Sequence, residues 1–343
     1  MARGTPSPEA NRGVRGSAAM ICSPPPTPER NPVTEIVLHH YPASPFSEKV
    51  RLMLGWKGIA WHSVVTPTVM PKPELTALTG GYRKAPVLQV GADVYCDSRR
   101  IAALLDEMVP QLPLTTPDIA ASAAAIERWC DERLFFLAIS MALQPAAMPH
   151  FAATLPHDEA PRFMVDRIEF MKGSRIELPP LLVGRPELEI GLAKLDAQLG
   201  GGSSYLLAEQ PSLADFAAYP PLWALMRNPA TAPLLDSHAS LRSWLERMAK
   251  IGHGRFSALD ASEAVRMARE SEPVGVTRPQ ALHVVDLALG EPVEIAATDY
   301  GMEPVRGTLV HADNDSLALA RSDDRAGDVI VHFPRTGFRI TKP

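Results

Sequence analysis

The stretch Tyr41-Pro42-Ala43-Ser44-Pro45-Phe46-Ser47 joins a short apolar run, Ile36-Val37-Leu38, to an amphipathic run from Phe46 to Trp56. Ser44 is suited to cap a helix, because its hydroxyl oxygen accepts from an otherwise unpaired amide of the first turn. Pro45 then falls at the first helical position, where a missing N–H costs nothing. Phe46, Val50, Met53 and Leu54 recur at helical spacing, and Gly58 suits the left-handed residue past the end. The pattern predicts a strand feeding a helix N-terminus that carries a hydroxyl. First-turn amides and the positive end of the helix dipole converge there, so an anion such as a thiolate is favoured. A well-capped surface helix with no ligand is the plainer reading of the same residues.

Working outward, Ile59 to Val65 is β-branched and aromatic, and reads as a second strand. Lys84-Ala85-Pro86-Val87-Leu88-Gln89-Val90 and Val94-Tyr95-Cys96 flank Gly91-Ala92, which predicts a hairpin. Asp97-Ser98 then opens a helix with an apolar stripe at Ile101, Leu104, Leu105 and Met108. The order β-α-β-α-β-β-α resembles the thioredoxin-like N-terminal domain of glutathione transferases. Much later, Tyr205-Leu-Leu-Ala-Glu-Gln-Pro-Ser212-Leu-Ala-Asp215-Phe216 resembles that family's helical-domain signature, in which a Ser-x-x-Asp capping box starts a buried helix. Two motifs in the right order are far more specific than either alone. The resemblance spans roughly residues 34 to 270 and leaves both ends of the chain uncovered.

The resemblance implies a set of site residues. Ser44-Pro45-Phe46-Ser47 stands where redox relatives carry Cys-x-x-Cys, so dithiol exchange at this place is excluded. A serine hydroxyl still donates to a bound glutathione sulfur, and both that bond and the helix N-terminus lower the thiol pKa. Ser44 is therefore the expected catalytic residue. Tyr41, near the end of the first strand, is its competitor, and Ser47 is expected to be a local cap partner. Pro86 matches the family's cis-proline, which lets Ala85 pair with the cysteinyl backbone of glutathione like an added strand; a trans proline opening a strand is the alternative. Lys84 is expected either to meet the glycyl carboxylate or to be a solvated rim charge. Asp97 and Ser98 match the acid-plus-serine step that holds the γ-glutamyl group, an acid on the ammonium and a hydroxyl with helix amides on the carboxylate. The family usually has Glu or Gln where Asp97 stands, one methylene longer. An ordinary helix cap is the bland reading of that pair.

The chain has 343 residues, enough for two or three domains, with 46% hydrophobic residues, a net charge of −5, pI near 6.1 and mean hydropathy of −0.03. That balance argues against nucleic acid or an anionic membrane as partner. No apolar stretch approaches a membrane span. Cys22, Cys96 and Cys130 are too scattered for a disulfide framework or a metal knuckle, and a reducing cytoplasm fits them. Cys96 and Cys130 are expected to be small apolar fillers. His39 and His40 lie on the first strand, and no histidine spacing supports a metal site. Residues 1 to 33 are rich in Pro, Ser, Gly and Arg and read as a disordered tail, within which Met20 is an alternative start.

The expected architecture is an α/β thioredoxin-like domain over 34–112, an all-helical domain over 113–274 and a small β-rich module over 275–343. Helical stripes run through Ile126/Trp129/Leu134, Phe163/Ile168/Met171, Leu188/Leu192/Leu195/Leu199, Leu213/Phe216/Leu222 and Leu241/Trp244/Leu245/Met248. Gly200-Gly201-Gly202 should end one helix, and Pro220-Pro221 should kink or interrupt another. Beyond 275, Pro292–Ile295, Val305–Val310, Ser316–Ala320, Val329–Phe333 and Phe338–Ile340 read as short strands. A module this small is marginal alone and is expected to pack on the helical domain. Asp313-Asn314-Asp315 reads as a solvated turn, since it lacks the alternate spacing of a calcium loop.

The function that the resemblance implies is attack of glutathione thiolate on a small hydrophobic electrophile, with glutathione a co-substrate and no resident cofactor. Trp129, Arg133 and Phe136 are expected to face the electrophile. A homodimer is a possible assembly. A non-catalytic binding or regulatory protein on the same fold, and a glutathione-dependent isomerase, are the rival readings.

Overall fold

A computed structural model describes residues 35–174, 176–281 and 286–343. The tail expected over 1–33, the alternative start at Met20 and Cys22 lie outside the described residues. β1 (Ile36–His40) leads through Ser44 into α1 (Pro45–Trp56). β2 (Trp61–Val65), α2 (Pro73–Thr79), β3 (Val87–Val90), β4 (Asp93–Cys96) and α3 (Ser98–Met108) follow, the order expected for the thioredoxin-like part. β1 lies parallel to β2 and antiparallel to β3, and β3 and β4 form the hairpin across Gly91-Ala92. Gly58, at φ +65°, is the left-handed residue that ends α1.

The helical part opens with α4 (Ala120–Trp129), passes through a π-helical turn at Cys130–Leu134 and continues as α5 (Phe135–Ala142). The short α6 (Met148–Ala152) and α7 (Ala160–Phe170) precede the long α8 (Leu181–Leu199), which Gly200 ends. α9 (Leu213–Arg227) and α10 (Ala239–Ile251) complete the bundle. Asp215 holds the start of α9: its carboxylate accepts from the amides of Ser212 and Leu206, and from the indole of Trp244, each at 2.9 Å. Leu188, Leu192, Phe216, Leu222 and Trp244 share one core with Leu38, Val50, Met53 and Leu105 of the thioredoxin-like part. That continuity fixes the two parts against each other, and apolar burial of this kind is the main source of stability.

Four features depart from the sequence-based expectations. Pro220 and Pro221 do not interrupt α9, which continues to Arg227. Two internal prolines cost several kcal/mol in an isolated helix, but the flanking Tyr219 and Leu222 are fully buried in the shared core, which offsets the lost backbone bonds. Ile168 faces outward at 71% exposure, whereas Phe163 and Phe170 turn inward. The end of the segment read as all-helical returns to the sheet: β5 (Phe256–Ala258) pairs parallel with β2, and α11 (Ala261–Arg269) buries Val265 and Ala268 under the C-terminal strands.

The largest departure concerns the C-terminal module. β6 (Pro292–Ala297), β7 (Val305–Ala312), β8 (Ser316–Asp323), β9 (Gly327–Pro334) and β10 (Phe338–Thr341) form where strands were expected. They do not rest chiefly on the helical domain. β9 pairs parallel with β4, matching Val94 to Val331 and Tyr95 to His332. Among the described residues the result is one sheet of ten strands in the order β10-β6-β7-β8-β9-β4-β3-β1-β2-β5. Val293, Leu317, Val331 and Phe333 share a core with Leu75, Leu78, Val87 and Val94. An exposed β4 edge offers unpaired backbone groups along its length, so extending the sheet satisfies more groups than packing face-on against helices. Asp313-Asn314-Asp315 is the solvated turn expected, with Asp313 Oδ1 accepting from the amides of Asp315 and Ser316 at 2.9 and 2.7 Å. Among the described residues no helix is long and apolar enough to cross a membrane.

Candidate functional site

Ser44 occupies the N-cap of α1 and is 2% exposed; its Oγ accepts from the Ser47 amide at 3.1 Å. That bond uses an oxygen lone pair and leaves the hydroxyl proton available to an incoming group. Above it lies a cavity of about 610 Å³ whose lining includes Ser44, Tyr41, Lys84, Ala85, Asp97 and Ser98. Residues far apart in sequence thus meet in one place. Ser47, one turn into the helix, is buried and serves the cap through its amide.

The Ser44 amide donates to the Tyr41 carbonyl at 3.1 Å, and both side chains line the cavity. Burial pushes the phenol pKa up, against the pull of the Arg167 charge, so the hydroxyl stays protonated. Both candidates for the thiol-facing donor therefore line the same cavity. The Ala85–Pro86 peptide is cis, and Pro86 is followed directly by β3. Asp97 has φ +76°, a conformation a non-glycine residue adopts at a cost of about 1–3 kcal/mol, and such strain gathers at functional sites. Its carboxylate accepts from the Arg99 amide at 2.9 Å, and Ser98 is the first residue of α3.

The base of the cavity is braced by a buried ion cluster. Lys49 on α1, with a fully buried side chain, lies 2.8 Å from both Glu127 on α4 and Asp131. Burial, reinforced by the neighbouring Glu127 charge and opposed by Lys49, pushes the Asp131 carboxyl up to about 6. Asp131 lines the cavity, so its charge is within the site. Next to α1, His39 and His40 are both buried. His39 Nε2 meets Gln89 Oε1 at 2.9 Å, and His40 Nε2 meets Ser63 Oγ at 2.8 Å. They pack beneath the site and do not line it.

Several cavity residues were not singled out by sequence. Lys72 is buried and donates to the Arg83 carbonyl at 3.1 Å, with its ammonium 5.7 Å from the Tyr41 ring centre. Burial, aided by the charges of Arg167 and Arg83, pushes its pKa down to about 7, so near neutrality it can give or take a proton. Arg83 is paired with Asp166 at 2.5 Å, and Arg167 binds the same carboxylate. Asp299 and Tyr300 come from the C-terminal module, more than 200 residues from Lys84 in sequence.

On the helical side the cavity face runs through Asp131, Phe135, Phe136, Ile139 and Leu143. Of the three residues expected to face the electrophile, Phe136 lines the cavity. Trp129 packs instead against Gly191 of α8, and Arg133 is bound to Glu187 on the same helix. The π-helical turn at Cys130–Leu134, which includes Arg133, takes an extra residue into one turn and so offsets the face of Trp129 from that of Phe136. Cys96 and Cys130 are both buried, with their thiols pushed well up by burial, and neither lines the cavity.

Residues 38–113 match the family model described as glutathione S-transferase, N-terminal domain, and residues 174–247 match glutathione S-transferase, C-terminal domain. The chain is similar to a GST-like protein from Pseudomonas syringae, with 37% identity and a TM-score of 0.74, covering 90% of this chain and 100% of that one. A share of 90% exceeds what the first 274 residues supply, so the likeness enters the C-terminal strands. A glutathione transferase from Phanerochaete chrysosporium shares the fold at 18% identity and a TM-score of 0.51, covering 63% of this chain and 97% of that one. No curated protein matches the chain. The chain belongs to the glutathione S-transferase family: a thioredoxin-like domain, a helical domain and, here, a β-rich extension of the sheet.

Proposed function

We propose that the protein is a glutathione transferase-like enzyme that activates the glutathione thiolate with Ser44 and directs it at a small hydrophobic electrophile. The observation that carries this reading is the convergence on one cavity of the Ser44 hydroxyl, the Ala85 backbone before a cis proline, and the Asp97-Ser98 step. In this reading the cysteinyl backbone of glutathione pairs with Ala85 as an added strand would. The γ-glutamyl end lies at Asp97 and Ser98, where the carboxylate meets the ammonium and helix amides meet the carboxylate. The sulfur then sits over the N-terminus of α1. A hydrogen bond from Ser44 and the aligned first-turn dipoles favour the thiolate, each unit of pKa lowering being worth about 1.4 kcal/mol.

The electrophile has an apolar wall to lie against, formed by Phe46, Phe135, Phe136, Ile139 and Leu143. Phe46 and Phe135 pack at 4.7 Å between ring centres, so the wall begins two residues after the Ser44 cap. The thiol proton passes to solvent on binding, and attack forms a carbon–sulfur bond while the leaving group departs with the pair of the bond it breaks. At an activated double bond the π pair instead moves onto the acceptor and is then protonated; no net oxidation or reduction occurs.

Ser44→Ala tests the assignment. Conjugation of a generic aryl electrophile at saturating glutathione should fall by about 10²-fold, the range expected when one preorganised donor to a developing charge is lost. Glutathione affinity, measured by calorimetry, should stay near wild type because it is spread over the peptide contacts. An unchanged kcat would refute Ser44 and make Tyr41 the thiol-facing donor.

A further inference from the structure

The loop from Thr298 to Pro304, between β6 and β7, carries the C-terminal module into the thiol cavity. Asp299 Oδ1 lies 2.6 Å from Lys84 Nζ, and the same ammonium lies 4.1 Å from the centre of the Tyr300 ring. The loop is held in place on several sides. Tyr300 stands edge-on to Phe136 and to Phe170, at 5.9 and 5.2 Å between ring centres. The Gly301 amide donates to the Phe170 carbonyl at 2.9 Å, and a side chain on Gly301 would begin 2.3 Å from the Phe170 ring. Thr298 donates both its amide and its hydroxyl to the Gly337 carbonyl, which ties the loop to the start of β10.

In the proposed binding mode, a peptide thiol paired to Ala85 with its glutamyl end at Asp97 puts its other end toward Lys84. That ammonium already has a carboxylate and an aromatic face on it, and its side chain is only 11% exposed. A free terminal carboxylate arriving there would share one cation with Asp299, and like charges at one site disfavour each other. A neutral terminus brings no such conflict, and a cationic one gains Asp299 as a partner. Discrimination of this sort comes from a repulsive element as much as from an attractive one.

We propose that Asp299 is a specificity-determining residue: it weakens the hold of Lys84 on a free terminal carboxylate, so that the site, while still binding glutathione, binds peptide thiols whose terminus is amidated or extended by an amine more tightly. The C-terminal module then takes part in choosing the thiol, with Tyr300 holding the loop in position. This inference rests on the thiol-site reading given above.

The test compares glutathione with its C-terminal amide by titration calorimetry, on the full chain, in wild type, Asp299→Asn, Lys84→Met and the double variant. Asp299→Asn is nearly isosteric on a half-exposed loop residue, so the fold should be retained. The ratio of the two dissociation constants should move toward the free acid by about fivefold or more, the upper end of what one partly exposed charge pair supplies. On the Lys84→Met background both thiols should bind more alike in the neutralised double variant than with Asp299 in place, since the carboxylates then face each other with no cation between them. A smaller shift in the single variant, or a shift in the opposite direction on either background, overturns the assignment while leaving the thiol site standing. Failure of wild type to bind either thiol overturns the thiol-site reading and this inference with it.

Discussion

Replacing Asp93 by alanine should loosen the C-terminal strands from the rest of the sheet. The Asp93 carboxylate on β4 accepts three donors: the amides of Val274 and Gly275 at 2.6 and 3.0 Å, and His332 Nε2 at 2.7 Å. A carboxylate only accepts, so Nε2 carries the proton. His332 on β9 is buried and stacks on Tyr95 at 4.4 Å with an interplanar angle of 9°. Asp93 therefore ties β9 and the segment leading into the module to the same β4 residue. Each buried donor left without an acceptor costs about 1–3 kcal/mol. The two amides lie near the surface, where water partly replaces the carboxylate, so about 1 kcal/mol each is reasonable, and the buried imidazole takes the upper part of the range. The loss should be about 3–5 kcal/mol. Denaturant unfolding followed by tryptophan fluorescence gives the global change. Hydrogen exchange gives the local one, and amides of β9 should exchange about a hundredfold faster or more. A loss below about 1 kcal/mol, with unaltered exchange in β9, would show that the apolar seam holds the strands and that the Asp93 contacts add little.

Two further outcomes are expected. Asp97→Ala and Ser98→Ala should each weaken glutathione binding by about 1.5–3 kcal/mol, the value of one charge-assisted contact, with KM raised and kcat little changed; wild-type affinity by calorimetry would reduce the pair to a helix cap. Stability should also fall in mild acid: burial pushes His39 down to about 4, and burial with the Arg51 charge pushes His40 down to about 3, from an ordinary 6.5. Below 6.5 the unfolded chain binds protons that the folded one refuses, so unfolding free energy drops toward pH 4 by up to about 1.4 kcal/mol per pH unit for each histidine. A denaturation midpoint constant from pH 7 to pH 5 would contradict this.

The elements that periodicity and capping specify were legible in the sequence. α1 and α9 begin where Ser44 and Ser212 promise, and α1 and α8 stop at the glycines that suit a helix end. The five C-terminal strands could be placed, because alternation and turn residues are local. Their partner could not, because which edge a strand joins is decided by what that edge leaves unpaired, and no residue of β9 states it. The site divided the same way. Ser44, Ala85, Asp97 and Ser98 were named because the family resemblance places its site on them, and they fall at element ends that the sequence marks locally. Asp299 and Tyr300 reach the cavity only through the return of the sheet, so no spacing connects them to Lys84. Trp129 and Arg133 were misplaced for a smaller reason, since the π-helical turn rotates the face and has no plain sequence mark.

The ten-stranded sheet also bears on self-association. A strand at a sheet margin presents unpaired amides and carbonyls to any other chain, and proteins that leave a long apolar margin open tend to clump. β4, with Val94, Tyr95 and Cys96, would be such a margin, and in this chain β9 occupies it. Among the described residues the margins that remain are β5, three residues long, and β10, which carries the exposed Arg339. Both are short, and neither presents an unbroken apolar row. The C-terminal strands thus act as a permanent intramolecular cover, and proteolytic loss of this segment would convert a closed border into a sticky one.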